Sequence, residues 1–325
     1  VSVQKITVST VEAGLRLDRW FRSKFPQVTH GRLEKLLRKG EIRVDGGRVR
    51  ANLRLVAGMV VRVPPLPEPE PVNAVANAPV SPADVAALRD RILYRDDALI
   101  VIDKPSGLAV QGGSGMARHL DGMLDALQFD ATERPRLVHR LDKDTSGVLV
   151  LARTRSAATA ATAAFADRTT EKTYWALVSG GPDAEEGRLD SNLIKVATGG
   201  GREQMASDSS GKSAVTLFRC LARGEPHVTW LALTPLTGRT HQLRVQTAEA
   251  EFPIVGDRRY GQSQAIKKDN AFGRGLHLHA RQLVIPHPKG GLLSVAAPLP
   301  PHMARSWGYL GWEEPPAPPA QRWSP

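Results

Sequence analysis

The stretch 138–147 reads VHRLDKDTSG and places two carboxylates, Asp142 and Asp144, among His139, Arg140 and Lys143. Neighbouring cations hold a carboxylate ionised, and an ionised carboxylate serves as nucleophile or general base. The competing reading of an Asp-x-Asp turn is structural, with the side chains accepting backbone N–H bonds. Position favours chemistry. The run that follows, GVLVLAR (147–153), reads as a buried strand, and a loop at the end of a strand is where a rigid scaffold presents functional groups.

Other chemical templates are missing. The sequence has no G-x-S-x-G elbow, no P-loop lysine and no G-x-G-x-x-G after a strand. The pieces QGGSG and ATGGGR fit flexible loops. His277, His279, His287 and His302 cluster in LHLHARQLVIPHP and beyond. His277 and His279 fall on one face of a strand, but no carboxylate or thiol completes a zinc set. One cysteine, Cys220, excludes an internal disulfide and fits a reducing, cytoplasmic compartment. No apolar run approaches the ~20 residues of a membrane span, and VSVQKITVSTVEAG at the N-terminus lacks a signal-peptide core.

Charge narrows the partner. Of the net +11, residues 1–63 carry +9, from 14 Lys and Arg against 5 Asp and Glu. A high charge also aids solubility, but its concentration in so short a segment favours a polyanion. Taken alone, it leaves RNA, DNA and an acidic membrane open.

The elements that must position these groups fall into two parts. LRLDRWFRSKF (15–25) and RLEKLLRKG (32–40) have helical apolar spacing, the second ending at Gly40. EIRVDGGRVR (41–50) alternates around Asp45-Gly46-Gly47, a hairpin signal, and MVVRVPP (59–65) closes a small α/β module as a strand. Arg32, Lys35, Arg38 and Lys39 recur at helical steps and crowd one exposed face. Such crowding makes sense where phosphates sit. Residues 64–82 hold seven prolines and read as a semi-rigid spacer. A second domain is expected over 83–312, with a poorly ordered Pro-rich tail over 313–325. Within it, ALIVIDKPSGLAV (98–110) reads as strand, turn, strand, and SAATAATAAFADR (156–168) as a helix. KTYWALVSG (172–180), SAVTLFRCLAR (213–223) and HVTWLALTPL (227–236) read as strands, the last two as a hairpin around 224–226. Many strands with few helices predict an α+β domain around a large, mainly antiparallel mixed sheet with flanking helices.

Two resemblances follow from these segments. RLDRWF, the helix ending LLRKGEIRV, and LVAGMVVRVP resemble the S4 RNA-binding domain over about 50 residues of 1–63. The family turn usually reads Asn-Gly where this chain has Asp45-Gly46. From about 93 to 300 the chain resembles the RluA-type RNA pseudouridine synthases. The segments that carry this are LYRDDALIVIDKPSGLAV (93–110), LVHRLDKDTSGVLVLAR (137–153), EKTYWALV (171–178), GKSAVTLFRCL (211–221), LTPLTGRTHQLRVQ (233–246), PIVGDRRYG (253–261) and LHLHARQLVIPHP (276–288). The H-R-L-D-x-x-T-S-G piece is highly specific. Two departures stand out: Gln246 where the family commonly has His, and Glu251-Phe252 in place of Gly-His.

The resemblance implies an isomerase that needs no cofactor and no metal. It assigns the catalytic aspartate to Asp142 and a turn role to Asp144. Arg244 maps to the arginine that pairs with the aspartate, and Tyr174 to a tyrosine that stacks on uracil and helps remove its C5 proton. Trp175 should face the opposite side of the strand. A uridine in stacked RNA must be flipped out to reach a carboxylate; Arg140 is the candidate for filling the vacated space or holding the adjacent phosphate, and Lys104 and Pro105 for shaping the cleft floor. RNA contacts are expected from Arg16, Arg19, Arg32, Lys35, Arg38 and Lys39. Details of the S4-like module resemble the branch that modifies large-subunit (23S) ribosomal RNA, so the expected partner is ribosomal RNA, with a monomeric protein and no obligate protein partner. The competing readings are a synthase acting on tRNA, a non-catalytic RNA-binding ribosome-assembly factor, and a hydrolase using Asp142 and a histidine.

Overall fold

A computed structural model of the chain describes residues 3–323 apart from 29, 67–79, 113–117, 199–201, 226, 262–271, 273, 316, 318 and 319. It divides into two units, Val1–Ala76 and Asn77–Pro325. Most of the expected spacer, and Pro226 of the expected hairpin turn, lie outside the described residues.

In the first unit, β1 (Gln4–Thr7), β2 (Arg43–Val44) and β3 (Val60–Val63) form an antiparallel sheet in the order β1-β3-β2. Helices α1 (Leu17–Lys24) and α2 (His30–Lys39) pack on it through Leu17, Trp20, Phe21, Leu33 and Leu37. The spacing 33/37 leaves Arg32, Lys35, Arg38 and Lys39 on the exposed side of α2. Arg19 is exposed, and Arg16 is held by Asp18 at 2.6 Å. The hairpin expected at 41–50 forms only its turn. Val44 and Gly47 exchange N–H···O bonds around Asp45 (φ 48°) and Gly46 (φ 78°). The ladder then passes to β3, because the backbone N–H of Val60 donates to Asp45 Oδ1 and that of Asp45 to the Val60 carbonyl.

The second unit is an α+β domain around a sheet with twelve strands among the described residues. Its strands are β4 (Ile92–Arg95), β5 (Leu99–Lys104), β6 (Arg136–Leu137), β7 (Ser146–Ala152), β8 (Glu171–Ser179), β9 (Glu186–Thr198), β10 (Arg202–Ser207), β11 (Lys212–Gly224), β12 (Val228–Pro235), β13 (Leu278–Pro286), β14 (Leu292–Ala296) and β15 (Gln321–Trp323). The main path runs β10-β9-β11-β12-β8-β13-β7-β5-β4. Every described pairing is antiparallel except β13 with β7. The flanking helices are α3 (Pro82–Arg89), α4 (Arg155–Ala166), α5 (Gln242–Glu249) and α6 (Pro301–Tyr309).

Strand β7 is buried along its whole length, which explains its continuous apolar run. Alternate residues serve opposite layers. Val148 and Val150 pack with Ala157 and Ala161 of α4, while Leu149 and Leu151 pack with Leu120 and Leu124 on the other face. The alanines of α4 let it lie close, and Thr154 caps it by accepting the Ala157 N–H at 3.1 Å. At the parallel contact, Gly147 pairs with Ala280 at φ 108°, and a Cβ there would stand 2.2 Å from the Ala280 carbonyl oxygen. Only glycine permits that approach.

Two expectations change. Among the described residues no second strand follows DKPSG; Ala109 makes a single bridge to His119, because the chain curls back around the Lys104 ammonium. The described part of the tail is held: Glu314 accepts from Arg281 and from the Leu299 N–H, and β15 extends the sheet beside β14, while just ahead of the tail Trp312 stacks on Trp230.

Candidate active site

Asp142 sits in the loop between β6 and β7, which ends at the parallel contact in the centre of the sheet. The loop is fixed from several sides. The Val150 N–H donates to His139 Nε2 at 2.8 Å, and the His139 ring stacks on Phe165 at 4.3 Å. Thr145 N–H donates to the Asp142 carbonyl, closing the turn. Beneath it, Lys104 is fully buried and spends its three N–H donors on the carbonyls of Pro105, Leu108 and Lys143. Burial pushes its ammonium down to about 8, against the pull of Asp144, Asp142 and Asp103. Ser106 donates to the Asp144 carbonyl, so the Asp144 backbone belongs to the turn.

The Asp142 side chain is 28% exposed and borders a cavity of about 620 Å³ that Tyr174, Arg140, His241, Arg244 and Leu278 also line. Arg244 Nη1 stands 4.0 Å from Asp142 Oδ2. Its tight partner is a different acid. Arg244 Nε and Nη2 donate to Asp257 at 2.7 and 2.8 Å, a buried bidentate pair. Burial opposes the Arg244 charge, but the Asp257 carboxylate outweighs it and holds the guanidinium above its ordinary value. Burial likewise opposes the Asp257 charge, and Arg244 with the backbone N–H groups of Arg259 and Tyr260 keeps that carboxyl below the usual range. The expected Arg244–Asp142 pair is therefore corrected in detail. Two Arg–carboxylate contacts exist, and geometry gives the fork to Asp257 because only that pairing is planar and bidentate.

Tyr174 lies on β8 in register with Ala280 of β13. Its phenol is half-buried, and burial, with the Asp142 charge added, pushes its ionisation well above the usual range. Trp175 faces the other way, edge-on to Trp230 at 4.5 Å with the Arg281 guanidinium 4.3 Å from the centre of its own ring. Strand alternation thus gives one residue to the cavity and the next to the core, as the sequence predicts.

Residues 98–249 match the model of a family described as RNA pseudouridylate synthase. Over 95% of its length the chain is 37% identical to the ribosomal large subunit pseudouridine synthase C of Pasteurella multocida, covering 94% of that protein. It is 36% identical to the protein of the same name from Escherichia coli K12, over 92% of this chain and 93% of that one. This chain is an RNA pseudouridine synthase of the RluA type. The solved structure of human RNA pseudouridylate synthase domain containing 4 shares its fold, with a TM-score of 0.58 and 28% identity over 71% of this chain and 97% of that one.

Several groups around the synthase site were not singled out from sequence. His241 precedes α5 in a left-handed backbone conformation (φ 53°, ψ 19°). Its Nε2 lies 3.9 Å from Asp142 Oδ2 and its Nδ1 2.7 Å from the Tyr260 hydroxyl. Asp257 and Tyr260 come from the VGDRRYG turn, whose acid and ring are visible in sequence but whose partners lie on another element. A second cavity of about 1020 Å³ meets the same Asp142, His241 and Arg244 and is lined by Lys143, Arg258, Arg259 and Arg274.

The family departures are structural. Gln246 is buried; its amide donates to the carbonyls of Leu189 and Ala214, and its oxygen accepts from Thr216. Phe252 fills the core edge-on to Phe218. The C-terminal histidines are also placed by packing. His277 bonds Ser306 Oγ, His279 bonds Ser146 Oγ, His302 bonds the Leu276 carbonyl, and His287 faces Asp96 at 2.9 Å. No helix among the described residues is long and apolar enough to cross a membrane.

Proposed function

We propose that this synthase converts specific uridines of large-subunit ribosomal RNA to pseudouridine, with Asp142 as the reacting group. The observation that carries the reading is one partly exposed carboxylate at a cavity wall, beside an arginine locked by a second acid and a tyrosine from β8, which β13 separates from β7. The names of the relatives support the RNA class.

The reaction breaks the bond between uracil N1 and ribose C1′, rotates the base, and joins C5 to C1′. The C5 proton leaves and N1 gains one, so atoms balance without redox change. Asp142, ionised beside Arg244, acts on the flipped-out nucleotide as nucleophile or base. Arg244 steadies its charge while Asp257 holds Arg244 in place. Tyr174 offers its ring to the uracil face. Because burial keeps its phenol protonated, the hydroxyl assists loss of the C5 proton as a neutral hydrogen-bonding group and not as a phenolate. Arg140 is exposed at the cavity rim, where a guanidinium fills the vacated stack or binds the adjacent phosphate. Lys104 sets the height of the loop.

Residues 1–63 act as an S4-like RNA-binding domain through Arg16, Arg19, Arg32, Lys35, Arg38 and Lys39. Residues 64–82 link them to the catalytic domain at 83–312. The protein works as a monomer in the cytoplasm and draws on no cofactor.

The test is tritium release from RNA labelled at uracil C5. Unmodified large-subunit ribosomal RNA should release tritium with the purified protein. Release from tRNA alone would reassign the substrate, and no release from either RNA would overturn the reading.

A further inference from the structure

The polar contacts at the site close into a ring. Asp142 faces Arg244, Arg244 forks onto Asp257, and Asp257 Oδ1 accepts the Tyr260 N–H at 3.1 Å. The Tyr260 hydroxyl meets His241 Nδ1, and His241 Nε2 faces Asp142 again. Four of these members have evident work in the ring or in the reaction. His241 is the one whose task is unexplained, and it is held at a cost, since a left-handed backbone at a non-glycine residue is strained by about 1–3 kcal/mol.

The neighbours enforce that conformation. Gln242, the next residue, is buried and uses both ends of its amide. Its oxygen accepts from Thr237 Oγ1 and from the Arg239 N–H, and its nitrogen donates to the Val215 carbonyl and to Thr216 Oγ1. The chain is thereby fixed on both sides of His241, and the ring is aimed at the 142 carboxylate.

Protons on the ring follow from the same contacts. The Met205 N–H donates to the Tyr260 oxygen at 3.2 Å. The phenol keeps its own proton, because burial raises its ionisation, and His241 Nδ1 stands 2.7 Å away to receive it. With Nδ1 accepting, a neutral imidazole carries its hydrogen on Nε2, pointing at Asp142. The groups facing the ring are Asp142, Arg244, Arg259, Asp257 and Tyr260; burial acts most strongly and keeps the imidazole neutral.

We infer that His241 is a positioning residue: a neutral Nε2–H donor, set in that tautomer by Tyr260, that aligns the Asp142 carboxylate for attack on the nucleotide. This rests on Asp142 being the reacting group. At 3.9 Å the His241–Asp142 contact is longer than a formed hydrogen bond, and catalytic contacts of this kind tighten when substrate binds. Arg244 supplies fixed charge to Oδ2, and His241 supplies direction.

Two variants separate this from a packing role. Asn tolerates left-handed backbone but is too short to reach, so His241→Asn keeps the chain path and removes the donor. Tyr260→Phe keeps the ring that Arg244 contacts at 5.2 Å and removes only the hydroxyl. In the tritium-release assay on ribosomal RNA, His241→Asn should lower kcat about 10- to 100-fold and Tyr260→Phe about 3- to 10-fold, each with KM within about twofold. The double variant should be no slower than His241→Asn alone, because Tyr260 acts through His241. Nitrogen NMR of histidine-labelled wild type should report the Nε2–H tautomer at position 241, lost or mixed in Tyr260→Phe. Multiplicative losses in the double variant, losses confined to KM, an unchanged Tyr260→Phe or an Nδ1–H tautomer in the wild type would overturn the inference. Should His241→Asn fail to fold, Tyr260→Phe and the NMR decide. An inactive wild type would instead indict the functional reading itself.

Discussion

Asp257→Asn tests whether Arg244 is a fixed charge or a mobile one. The side chain keeps its shape and an oxygen for the backbone N–H groups of Arg259 and Tyr260. It loses the negative charge that balances a buried guanidinium. Breaking a buried ion pair from one side costs about 3–5 kcal/mol. The retained oxygen still serves those N–H groups, but the amide nitrogen now faces the Arg244 Nε–H donor, so the full range applies, about 3–5 kcal/mol of unfolding free energy. The effect on rate has a separate origin. Arg244 Nη1 is already 4.0 Å from Asp142, and with Asp257 neutral, Asp142 becomes its nearest countercharge. Attraction at that distance reaches at most about 4 kcal/mol at an effective dielectric near 20, enough to pull the two into direct contact. A displacement of about 1 Å at a reacting group costs on the order of 100-fold. Urea unfolding and single-turnover tritium release measure the two effects independently. A variant that is destabilised yet releases tritium within about twofold of the wild-type rate would refute the claim that Asp257 holds Arg244 for catalysis.

Three further outcomes are expected. Replacing Arg32, Lys35, Arg38 and Lys39 together by Ala should weaken binding to ribosomal RNA and reduce the slope of log affinity against log salt by about 3–4, at ~0.7–0.9 per phosphate contact; an unchanged slope would remove this face from the RNA path. Gly147→Ala puts a Cβ against the Ala280 carbonyl at a positive φ and should cost at least about 3 kcal/mol or prevent soluble expression, read by denaturation; wild-type stability would contradict the close β7–β13 contact. His277 and His279 are fully buried, and burial pulls both down to about 4. An unfolded histidine takes its proton near 6.5, so their contribution is complete above that pH and is lost as pH falls from 6.5 towards 4, by about 3 kcal/mol each; a denaturation midpoint that stays flat from pH 7 to 5 would refute it.

How much of the fold and site is legible in the sequence depends on the range of the interaction. The apolar run 147–153 and the alanine repeat 156–168 declare their elements because the signal is local. The loop around Asp142 declares itself through charge and turn formers next to that run. The alternation of Tyr174 and Trp175 follows from strand geometry alone. Partnerships across the fold do not announce themselves. Nothing near Arg244 says that its fork goes to Asp257, since the VGDRRYG turn reaches it only after α5 has folded back. The left-handed backbone of His241 is likewise invisible, because it is imposed by the buried Gln242 amide and its partners. Local alternation predicts a full hairpin after Val44, and a tertiary contact between Asp45 and Val60 outcompetes it. Prolines predict a loose tail, but they mark an absence of local order and not of docking, and in its described part Glu314 and β15 supply the docking.

The mechanism turns on which acid of the 142–144 turn reacts. Asp142→Asn and Asp144→Asn, compared by single-turnover tritium release on the same ribosomal RNA, decide it. Asp142→Asn should bind RNA normally and release tritium at least about 10⁴-fold more slowly, while Asp144→Asn stays within about fivefold of the wild type. Wild-type release from Asp142→Asn, or the two effects reversed, would contradict the mechanism.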